Sequence, residues 1–319
     1  MTRHLFIINP AAGQGEAIKL RSEIDAVCSI AGVDYGIYET ESAGDAENFV
    51  RAHCEEYAEG QDAGEEILRF YACGGDGTLN EVVNGACGYD FTEVGCIPAG
   101  TGNDFIRNFP SRRFDDLVAQ VQGESRLCDL IHYEGHINGE TVSRYCVNMF
   151  NIGFDSNVVD MMARMKRLPL ITGSLAYLAS VGAMLIGKKG ANLRVEYKDG
   201  FVHNGKLLLI SVANGCFCGG GIKGLPKAVT DDGVFDVSLV KNVPRRTFIR
   251  LFPKYTKGTH LKEKRLQDVI RYTHETALLI APKHPPMKLC VDGEITKAGK
   301  VLFRIQPKAF RFVLPANIT

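Results

Sequence analysis

The stretch Tyr71-Ala72-Cys73-Gly74-Gly75-Asp76-Gly77-Thr78-Leu79-Asn80 decides the fold of the first part of this chain. The apolar run over residues 67–72 predicts a short buried strand that the glycines bring to an end. From Thr78 onward, apolar residues recur at helical spacing, which predicts that a helix begins there. Three glycines and one aspartate therefore join a strand to a helix.

Such a junction directs backbone N–H groups and the positive end of the helix dipole toward one point, which suits a phosphate. Glycines permit the close approach of a ligand and the positive φ angles that such loops require. Asp76 is unusual in this setting, because a carboxylate repels phosphate unless Mg²⁺ or a proton in transfer lies between them. The alternative interpretation is an ordinary tight turn between a strand and a helix.

Strand and helix alternate four times in the first 122 residues. Strands are predicted at 4–9, 34–39, 67–72 and 94–97, and a helix follows each of them. This pattern predicts a doubly wound, Rossmann-like parallel α/β domain that binds a nucleotide. A second glycine turn, Gly13-x-Gly15, follows the first strand. It lacks the third glycine of the dinucleotide-binding motif, but it fits a nucleotide crevice at the strand ends.

The chain after residue 127 has a different pattern, in which turn clusters separate short strands. We predict strands at 128–133, 142–152, 193–197, 206–213, 234–240, 277–281, 287–291 and 301–305, and a helix at about 244–255. These elements predict an antiparallel β-sandwich domain. The predicted domains are therefore 1–127 and 128–305. The last strand, at 310–314, fits either domain, and we assign 306–319 to the first.

Composition limits the class of partner. The 37 Lys and Arg residues balance the 37 Asp and Glu residues, so the net charge gives no argument for nucleic acid. Ten cysteines without a CxxC pair are typical of buried thiols in a reducing compartment, which predicts a cytoplasmic protein. Residues 168–187 contain no charged side chain, but serine, glycine and proline dilute their hydrophobicity. We predict an apolar helix that packs on protein or dips into a membrane surface, rather than a membrane span.

Charge is uneven in one segment. Nine Lys and Arg residues lie from Arg245 to Arg271 against two acids, with Phe248, Leu251 and Phe252 among them. This pattern is typical of an amphipathic basic surface that contacts anionic lipid. A solvated helix face explains it equally well.

Two further stretches contain candidate acids. Asp231-Asp232-Gly233 predicts either an oxygen cage for a hard cation or a plain hairpin turn, and the sequence favours neither. Asp292-Gly293-Glu294 follows a predicted strand, so both acids could project toward one cleft. On spacing alone, a solvated hairpin tip is the better interpretation of that stretch.

Five motifs together resemble one known family. They are Asn9-Pro10 with Gly13, residues 74–81, residues 98–105, Asp231-Asp232-Gly233 and Val291-Asp292-Gly293-Glu294. In this order they are similar to the diacylglycerol kinase catalytic-domain family, and the whole chain resembles its bacterial lipid kinases of the YegS-like group. The glycine-Asp loop alone also resembles NAD kinases and phosphofructokinases. The resemblance implies an ATP-binding α/β domain, a β-sandwich domain and an active site in the cleft between them.

The resemblance also implies roles for particular residues. The positions that match ATP contacts are Asn9, Pro10, Ala11, Ala12, Gly13, Thr40, Gly74, Gly75, Asp76, Gly77, Thr78, Leu79, Asn80 and Thr101. Asn103, Arg107 and Asp129 match polar positions near the cleft. Asp232, with the carbonyls of Val229 and Val234, matches a structural Mg²⁺ site, and Asp76 is expected to hold the catalytic Mg²⁺. Glu294 matches the proton acceptor, with Asp292 as the rival for that role.

The implied activity is transfer of the γ-phosphoryl group of ATP, with Mg²⁺, to a lipid hydroxyl. Diacylglycerol is the first candidate substrate, and its product is phosphatidic acid. Phosphatidylglycerol, a sphingoid base and ceramide remain alternatives, as does a soluble metabolite in the manner of NAD kinases. A nucleotide-binding protein without catalysis is a further alternative. We expect peripheral contact with anionic membrane and no nucleic-acid partner. Family relatives suggest a homodimer, while the sequence itself leaves the oligomeric state open.

Overall fold

The computed structural model describes residues 2–60, 66–100, 102–154 and 190–317. They form two compact units. The first contains the chain as far as Leu130, together with Thr230–Asp232 and the residues from Gln306 onward. The second contains Ile131–Val229 and Gly233–Ile305. Three separate segments of the chain therefore form the first unit. The shortest, Thr230–Asp232, contains two of the candidate acids.

The first unit alternates strands and helices as predicted. Its strands are β1 (Thr2–Ile8), β2 (Tyr35–Glu39), β3 (Ile67–Gly74) and β4 (Thr92–Pro98), and its α-helices are α1 (Leu20–Ala31), α2 (Asp45–Glu59), α3 (Asp76–Ala86) and α4 (Leu117–Val121). Two 3₁₀ segments, Ala12–Lys19 and Phe105–Asn108, follow β1 and β4. These four strands pair in parallel, in the order β4-β3-β1-β2. The end of the last strand of the chain, β14 (Glu294–Leu314), pairs with β4 at Phe312 and Val94.

This strand order creates a switch point beside β1. The chain passes from β1 to β2 on one side and then returns to place β3 on the other side. The loops after β1 and β3 therefore leave the sheet in the gap where parallel α/β proteins bind ligands. β3 is almost wholly buried, as expected for a central parallel strand.

The second unit is antiparallel. Its strands are β5 (Glu124–Ile137, which begins in the first unit), β6 (Glu140–Cys146), β7 (Met149–Gly153), β8 (Ala191–Tyr197), β9 (Val202–Ala213), β10 (Phe235–Lys241), β11 (Ile270–Glu275), β12 (Ala277–Pro282), β13 (Met287–Val291) and most of β14. One α-helix, α5 (Arg245–Thr256), and two 3₁₀ turns, His260–Lys262 and Lys264–Leu266, precede β11.

The pairings of the second unit close a circuit of six strands. β9, β7, β13, β14, β12 and β8 each bond to the next, and β8 bonds back to β9. The side chains that point inward form one apolar core, which includes Phe150, Ile210, Leu289 and Phe303. Alternation along β9 is clear: Ile210 and Val212 belong to this core, while Ser211 points to the other face of the sheet.

The structure corrects several predicted element boundaries. The helix predicted from Thr78 begins at Asp76, directly after the glycines. The helix predicted after the first strand begins as a 3₁₀ segment, because residues 13–15 have positive φ angles and interrupt it. The strand predicted at 142–152 is two strands, β6 and β7. The break lies at Val147 and Asn148, whose N–H groups bond to the side chain of Asp292 instead of to a neighbouring strand.

The strands near the end of the chain also differ in number and length from the prediction. β11 was missed because the basic composition around Arg271 favoured a surface segment. The strands predicted at 301–305 and 310–314 form one long strand, β14. Lys308 within it has a φ angle of 53°, and its N–H donates to Asp129 Oδ1 at 2.7 Å. The Asp129 carboxylate thus accepts the N–H of Lys308 in place of a backbone carbonyl of a neighbouring strand, and β14 continues past this irregular residue.

The apolar segment predicted at 168–187 lies outside the described residues. Among the residues that are described, no helix is long and apolar enough to cross a membrane. All ten cysteines are free, and eight of them are buried.

Candidate functional site

Three loops of the first unit meet at the carboxyl edge of its parallel sheet. Asn9, directly after β1, donates its N–H to Cys73 O at 3.0 Å, and its side-chain amide donates to Thr78 Oγ1 at 3.2 Å. The N–H of Ala99, after β4, donates to Gly74 O at 2.9 Å. The loops after β1, β3 and β4 are thus bonded to one another, and all of them contain predicted ATP contacts.

Glycine is required where two of these loops touch. A Cβ added to Gly13 would lie 2.2 Å from the carbonyl oxygen of Ala99, and the φ angle of Gly13 is 61°. A Cβ added to Gly74 would lie 2.3 Å from Thr78 Oγ1. Side chains at these positions would separate the loops or displace Thr78. The short distances between the loops therefore depend on glycine at both positions.

The N-terminus of α3 faces the space between the loops. Gly75 precedes the helix in an extended conformation, and no side chain in the described part of the chain caps it. A Cβ at Gly75 would have no heavy atom within 4 Å among the residues that the structure describes. A ligand can therefore approach this backbone closely. An uncapped helix N-terminus beside open space is a favourable position for an anion.

Asp76 connects this helix to the loop after β4. Its Oδ1 accepts hydrogen bonds from the N–H groups of Asp104, at 2.8 Å, and Phe105, at 3.5 Å. A Cβ at Gly102 would lie 2.6 Å from the other oxygen, Oδ2. Asp76 thus orders the start of the 3₁₀ segment Phe105–Asn108, in addition to any role toward a ligand. Asp104, whose N–H Asp76 binds, received no role from the sequence.

Asn103 and Arg107 lie in the same loop. The side-chain amide of Asn103 donates to Gly100 O at 2.7 Å, and its φ angle is 50°. Its Oδ1 is buried and has no hydrogen-bond partner among the residues that the structure describes. Arg107 is exposed. Its Nη2 donates to Gly102 O, and its Nε forms an ion pair with Asp104 Oδ1, both at 3.3 Å. The buried Asn103 oxygen is an acceptor that a ligand could use.

The predicted Mg²⁺ turn lies beside buried polar contacts. Asp129 is fully buried, and its N–H donates to Thr230 O at 2.7 Å. Asp231 accepts from Arg126, with 2.9 Å between Oδ2 and Nε. Arg126 therefore forms an ion pair with Asp231, the acid that precedes the predicted Mg²⁺ ligand Asp232. Thr230–Asp232 belong to the first unit and Val229 and Val234 to the second. The complete ligand set therefore stays a prediction.

In the second unit, Asp292 forms a two-residue hairpin turn with Gly293 between β13 and β14. Their φ angles are 45° and 94°, as expected for the Asp-Gly turn that joins such strands. Although it lies at a turn, the Asp292 side chain is buried. Oδ1 accepts from the N–H groups of Asn148 at 3.0 Å and Met149 at 2.8 Å, and Oδ2 accepts from Val147 at 3.0 Å.

A thiol completes this arrangement. Burial and the neighbouring carboxylate raise the pKa of Cys146, so its Sγ–H stays protonated and donates to Asp292 Oδ1 at 3.1 Å. Asp292 therefore accepts four hydrogen bonds. Glu294, the first residue of β14, is exposed. The two acids of this hairpin thus differ sharply in environment, which their spacing did not reveal.

Three further predicted residues differ in their surroundings. Leu79 is buried in the core, so only its backbone is available to a ligand. Thr40, after β2, donates its N–H to Ile8 O at 2.9 Å, which holds the end of β2 beside β1. Thr101 lies outside the described residues. No group of three or more His, Cys, Asp or Glu side chains with metal-binding geometry occurs within the described ranges.

Comparison with known proteins finds two family domains in this chain. Residues 3–133 match the diacylglycerol kinase catalytic domain, and residues 148–314 match the YegS C-terminal NAD kinase beta sandwich-like domain. A diacylglycerol kinase from Bacillus subtilis (strain 168) is 30% identical over 299 residues, covering 92% of this chain and 90% of that protein. The chain belongs to the diacylglycerol kinase family. It is therefore a kinase, a transferase that uses ATP.

A second relative and a solved structure of the same fold are also similar to this chain. A diacylglycerol kinase from Staphylococcus aureus (strain JH9) is 32% identical over 298 residues, covering 92% of this chain and 86% of that protein. The crystal structure of a diacylglycerol kinase from Bacillus anthracis str. Sterne has a TM-score of 0.67 with 21% identity, over 99% of this chain and 98% of that one. The predicted combination of a nucleotide-binding α/β domain and an antiparallel β-sandwich domain of this family is confirmed.

Proposed function

We propose that this protein transfers the γ-phosphoryl group of ATP to the hydroxyl of a lipid, with diacylglycerol as the substrate and phosphatidic acid as the product. The observation that carries the proposal is the junction of three loops around the uncapped N-terminus of α3, in a chain whose relatives are named diacylglycerol kinase. Phosphatidylglycerol, a sphingoid base and ceramide are the competing lipid substrates.

The triphosphate of ATP fits the open space beside Gly75. The N–H groups of the first turn of α3 and the helix dipole attract phosphate. The loop from Asn9 to Gly13 contacts the start of α3 through Asn9 and the loop after β4 at Gly13. Arg107 is exposed at the same loops and supplies positive charge for the phosphates. Catalysis by such a site consists mainly of positioning and electrostatic stabilisation.

The oxygens near this space also suit Mg²⁺, which prefers oxygen ligands and keeps several waters. The buried Asn103 Oδ1 and the carboxylate of Asp76 would hold the ion or its waters, and the ion would neutralise charge on the phosphates. A second, structural Mg²⁺ would be bound by Asp232 with the carbonyls of Val229 and Val234. The adjacent Asp231–Arg126 ion pair holds this turn in place.

We assign proton removal from the lipid hydroxyl to Glu294 and a positioning role to Asp292. The Asp292 carboxylate already accepts four hydrogen bonds, so its lone pairs are engaged in holding the turn between β6 and β7. A base must reach the hydroxyl of the substrate, and the exposed Glu294 meets that requirement. Asp292 would act by fixing the hairpin that presents Glu294.

A lipid substrate is favoured over a soluble one by the charged surface of the second unit. Six of the nine basic residues counted in the sequence are exposed: Arg245, Arg246, Arg250, Lys257, Lys262 and Lys264. Two others are engaged within the protein, Lys254 with Glu263 and Arg271 with Asp199. The exposed set fits peripheral contact of a cytoplasmic enzyme with anionic lipid. Association as a homodimer remains a prediction.

Phosphate transfer from γ-labelled ATP tests this proposal. The protein would be incubated with dioleoylglycerol, phosphatidylglycerol, ceramide and sphingosine in mixed micelles, and with NAD in solution, each with and without Mg²⁺. We expect Mg²⁺-dependent labelling that is fastest for dioleoylglycerol. Labelling of NAD alone would overturn the lipid assignment. ATP binding without transfer to any acceptor would favour a nucleotide-binding protein without catalysis.

A further inference from the structure

The turn between β6 and β7 is held by two parts of the second unit. One is the Asp292 carboxylate, which accepts the N–H groups of Val147, Asn148 and Met149. The other is the loop after β9, residues 214–224, which contains five glycines and which we call the β9 loop. Asn148 bonds to both parts, and its bonds to the β9 loop have no role in the mechanism described so far.

Asn148 makes three hydrogen bonds to the β9 loop. Its carbonyl oxygen accepts from the N–H groups of Asn214, at 2.8 Å, and Gly215, at 3.2 Å. Its side-chain amide donates from Nδ2 to Phe217 O at 2.8 Å. The Asn214 side chain adds a fourth bond, from its Nδ2 to Val147 O at 3.1 Å. These four bonds join the turn to the β9 loop.

The oxygen of the Asn148 amide is not explained by stability. Because the carbonyl oxygen of Phe217 can only accept, the NH₂ group of Asn148 must face it, and Oδ1 must point elsewhere. Asn148 is 4% exposed, and its Oδ1 is buried with no hydrogen-bond partner in the described part of the chain. An unpaired buried oxygen costs free energy, so this position is a poor one for an asparagine that serves stability alone.

The place of Glu294 depends on the same turn. Glu294 pairs with Val291 across the hairpin, two residues after Asp292. Since the Asp292 carboxylate accepts three successive N–H groups of the turn, a rotation of the turn would move the hairpin as well. A displacement of about 1 Å at a reacting group lowers a rate by about 100-fold. The turn must therefore be fixed for Glu294 to be placed correctly.

We infer that Asn148 is a positioning residue for the base: by bonding the turn to the β9 loop, it holds the Asp292–Glu294 hairpin where Glu294 takes the proton of the substrate hydroxyl. The inference rests on the proposed function for the role of Glu294. It assigns the β9 loop a role as well, which is to support the turn that Asp292 grips. Asn148 acts through Glu294 and needs no contact with the substrate.

Asn148→Ala tests this role by separating activity from stability. The change removes the bond to Phe217 and the unpaired oxygen together, and Phe217 is half-buried, so water can replace the lost donor. We expect a melting temperature close to that of the natural protein. The single-turnover rate of phosphate transfer to dioleoylglycerol should fall by about tenfold or more, while the KM for ATP changes by less than about twofold.

Asn138 provides the matched control. It lies between β5 and β6, and its Oδ1 accepts from the N–H of Lys297 in β14 at 3.1 Å, away from the hairpin. Its φ angle is 52°, which glycine adopts without strain. Asn138→Gly should lower the melting temperature, because a paired oxygen is lost, and it should leave the transfer rate unchanged. The two asparagines are thus expected to show opposite patterns.

A double-mutant cycle tests whether Asn148 acts through Glu294. If it does, adding Asn148→Ala to Glu294→Gln should change the transfer rate by less than about twofold, because the group that Asn148 positions is already absent. Independent effects would multiply, and that result would overturn the inference. Amide hydrogen exchange gives a measurement without activity. Exchange at residues 292–295 should become faster in Asn148→Ala and stay unchanged in Asn138→Gly.

The outcomes separate this inference from the proposed function. A natural transfer rate in Asn148→Ala, or unchanged exchange at the hairpin, would overturn the positioning role while leaving the kinase activity intact. Absence of phosphate transfer to every lipid by the natural protein would overturn the proposed function. Faster hairpin exchange in Asn148→Ala in that case would still support the link between the β9 loop and the hairpin.

Discussion

The carboxylate of Asp76, in the first turn of α3, accepts a hydrogen bond from the backbone N–H of Asp104, with 2.8 Å between Oδ1 and N. This bond links the glycine loop after β3 to the loop after β4. Asp76 therefore has a structural role that does not depend on a metal ion. A loss of activity on replacing Asp76 would therefore have two causes, which different substitutions can separate.

Asp76→Asn should keep the structure and lose the charge. The amide oxygen of asparagine can still accept from the Asp104 N–H, so the melting temperature should be unchanged. Turnover should fall by about 100-fold or more, because a neutral amide binds Mg²⁺ or its waters weakly. Asp76→Ala should also destabilise the fold by about 1 kcal/mol. Equal activity of the asparagine variant and the natural protein would refute a metal-related role for Asp76.

Gly13→Ala should abolish the close contact between the loops after β1 and β4. The new Cβ would lie 2.2 Å from Ala99 O, so the loops must move apart, and we expect ATP affinity to fall by about 100-fold. Gly15→Ala is the matched control. Its φ angle is also positive, at 95°, but its Cβ would meet no atom of the described residues within 4 Å. Calorimetric titration with ATP should therefore distinguish the two variants. Similar affinities would contradict the claim that this contact shapes the ATP site.

Asp292→Asn should disturb the turn between β6 and β7. An asparagine amide group would face backbone N–H donors, and we expect a loss of about 1–3 kcal/mol in the free energy of unfolding. Amide hydrogen exchange at Val147, Asn148 and Met149 should become faster. Turnover should fall much less than in Glu294→Gln, because the assigned base is still present. A loss as large as that of Glu294→Gln in a normally folded variant would identify Asp292 as the base.

His4 should make stability depend on pH. It is 4% exposed, and burial, followed by the charge of Arg69, lowers its pKa from 6.5 to about 4. Between these values the unfolded chain binds the proton and the folded protein does not. This contribution to stability is therefore present above pH 6.5 and is lost as the pH falls toward 4.

The measurement for His4 is denaturant unfolding across that pH range. The shift corresponds to a change of up to about 3 kcal/mol at 1.36 kcal/mol per pKa unit. His4→Gln should reduce the pH dependence between 4 and 6.5, whereas substitution of the exposed His284 by glutamine should leave it unchanged. A His4→Gln curve parallel to that of the natural protein would show that this residue does not titrate as stated.

Local patterns in the sequence predicted the first unit well. The strand, glycine loop and α3 follow one another within about twenty residues, so their signals are complete in one stretch, and the parallel order follows from repeating that stretch. The glycines were correctly placed next to a helix N-terminus. The sequence could not reveal that Gly13 must be small because of Ala99, since that contact joins two separate loops.

Contacts between distant parts of the chain explain most of the failures. The break between β6 and β7 depends on Asp292, which is more than 140 residues away along the chain. The same contacts explain why spacing alone suggested a solvated tip for a residue that is buried. Similarly, the continuity of β14 depends on Asp129, which bonds to Lys308. Periodicity reports which face a residue occupies, but it does not report which carboxylate will accept its N–H.

The most direct test of the central claim is to measure ATP binding and phosphate transfer side by side in Glu294→Gln. Glu294 is exposed and lies in the second unit, so this change should leave ATP affinity and the melting temperature as they are. Transfer of labelled phosphate to dioleoylglycerol should fall by about 100-fold or more, the usual contribution of a general base. Transfer at the natural rate with normal ATP binding would contradict the account.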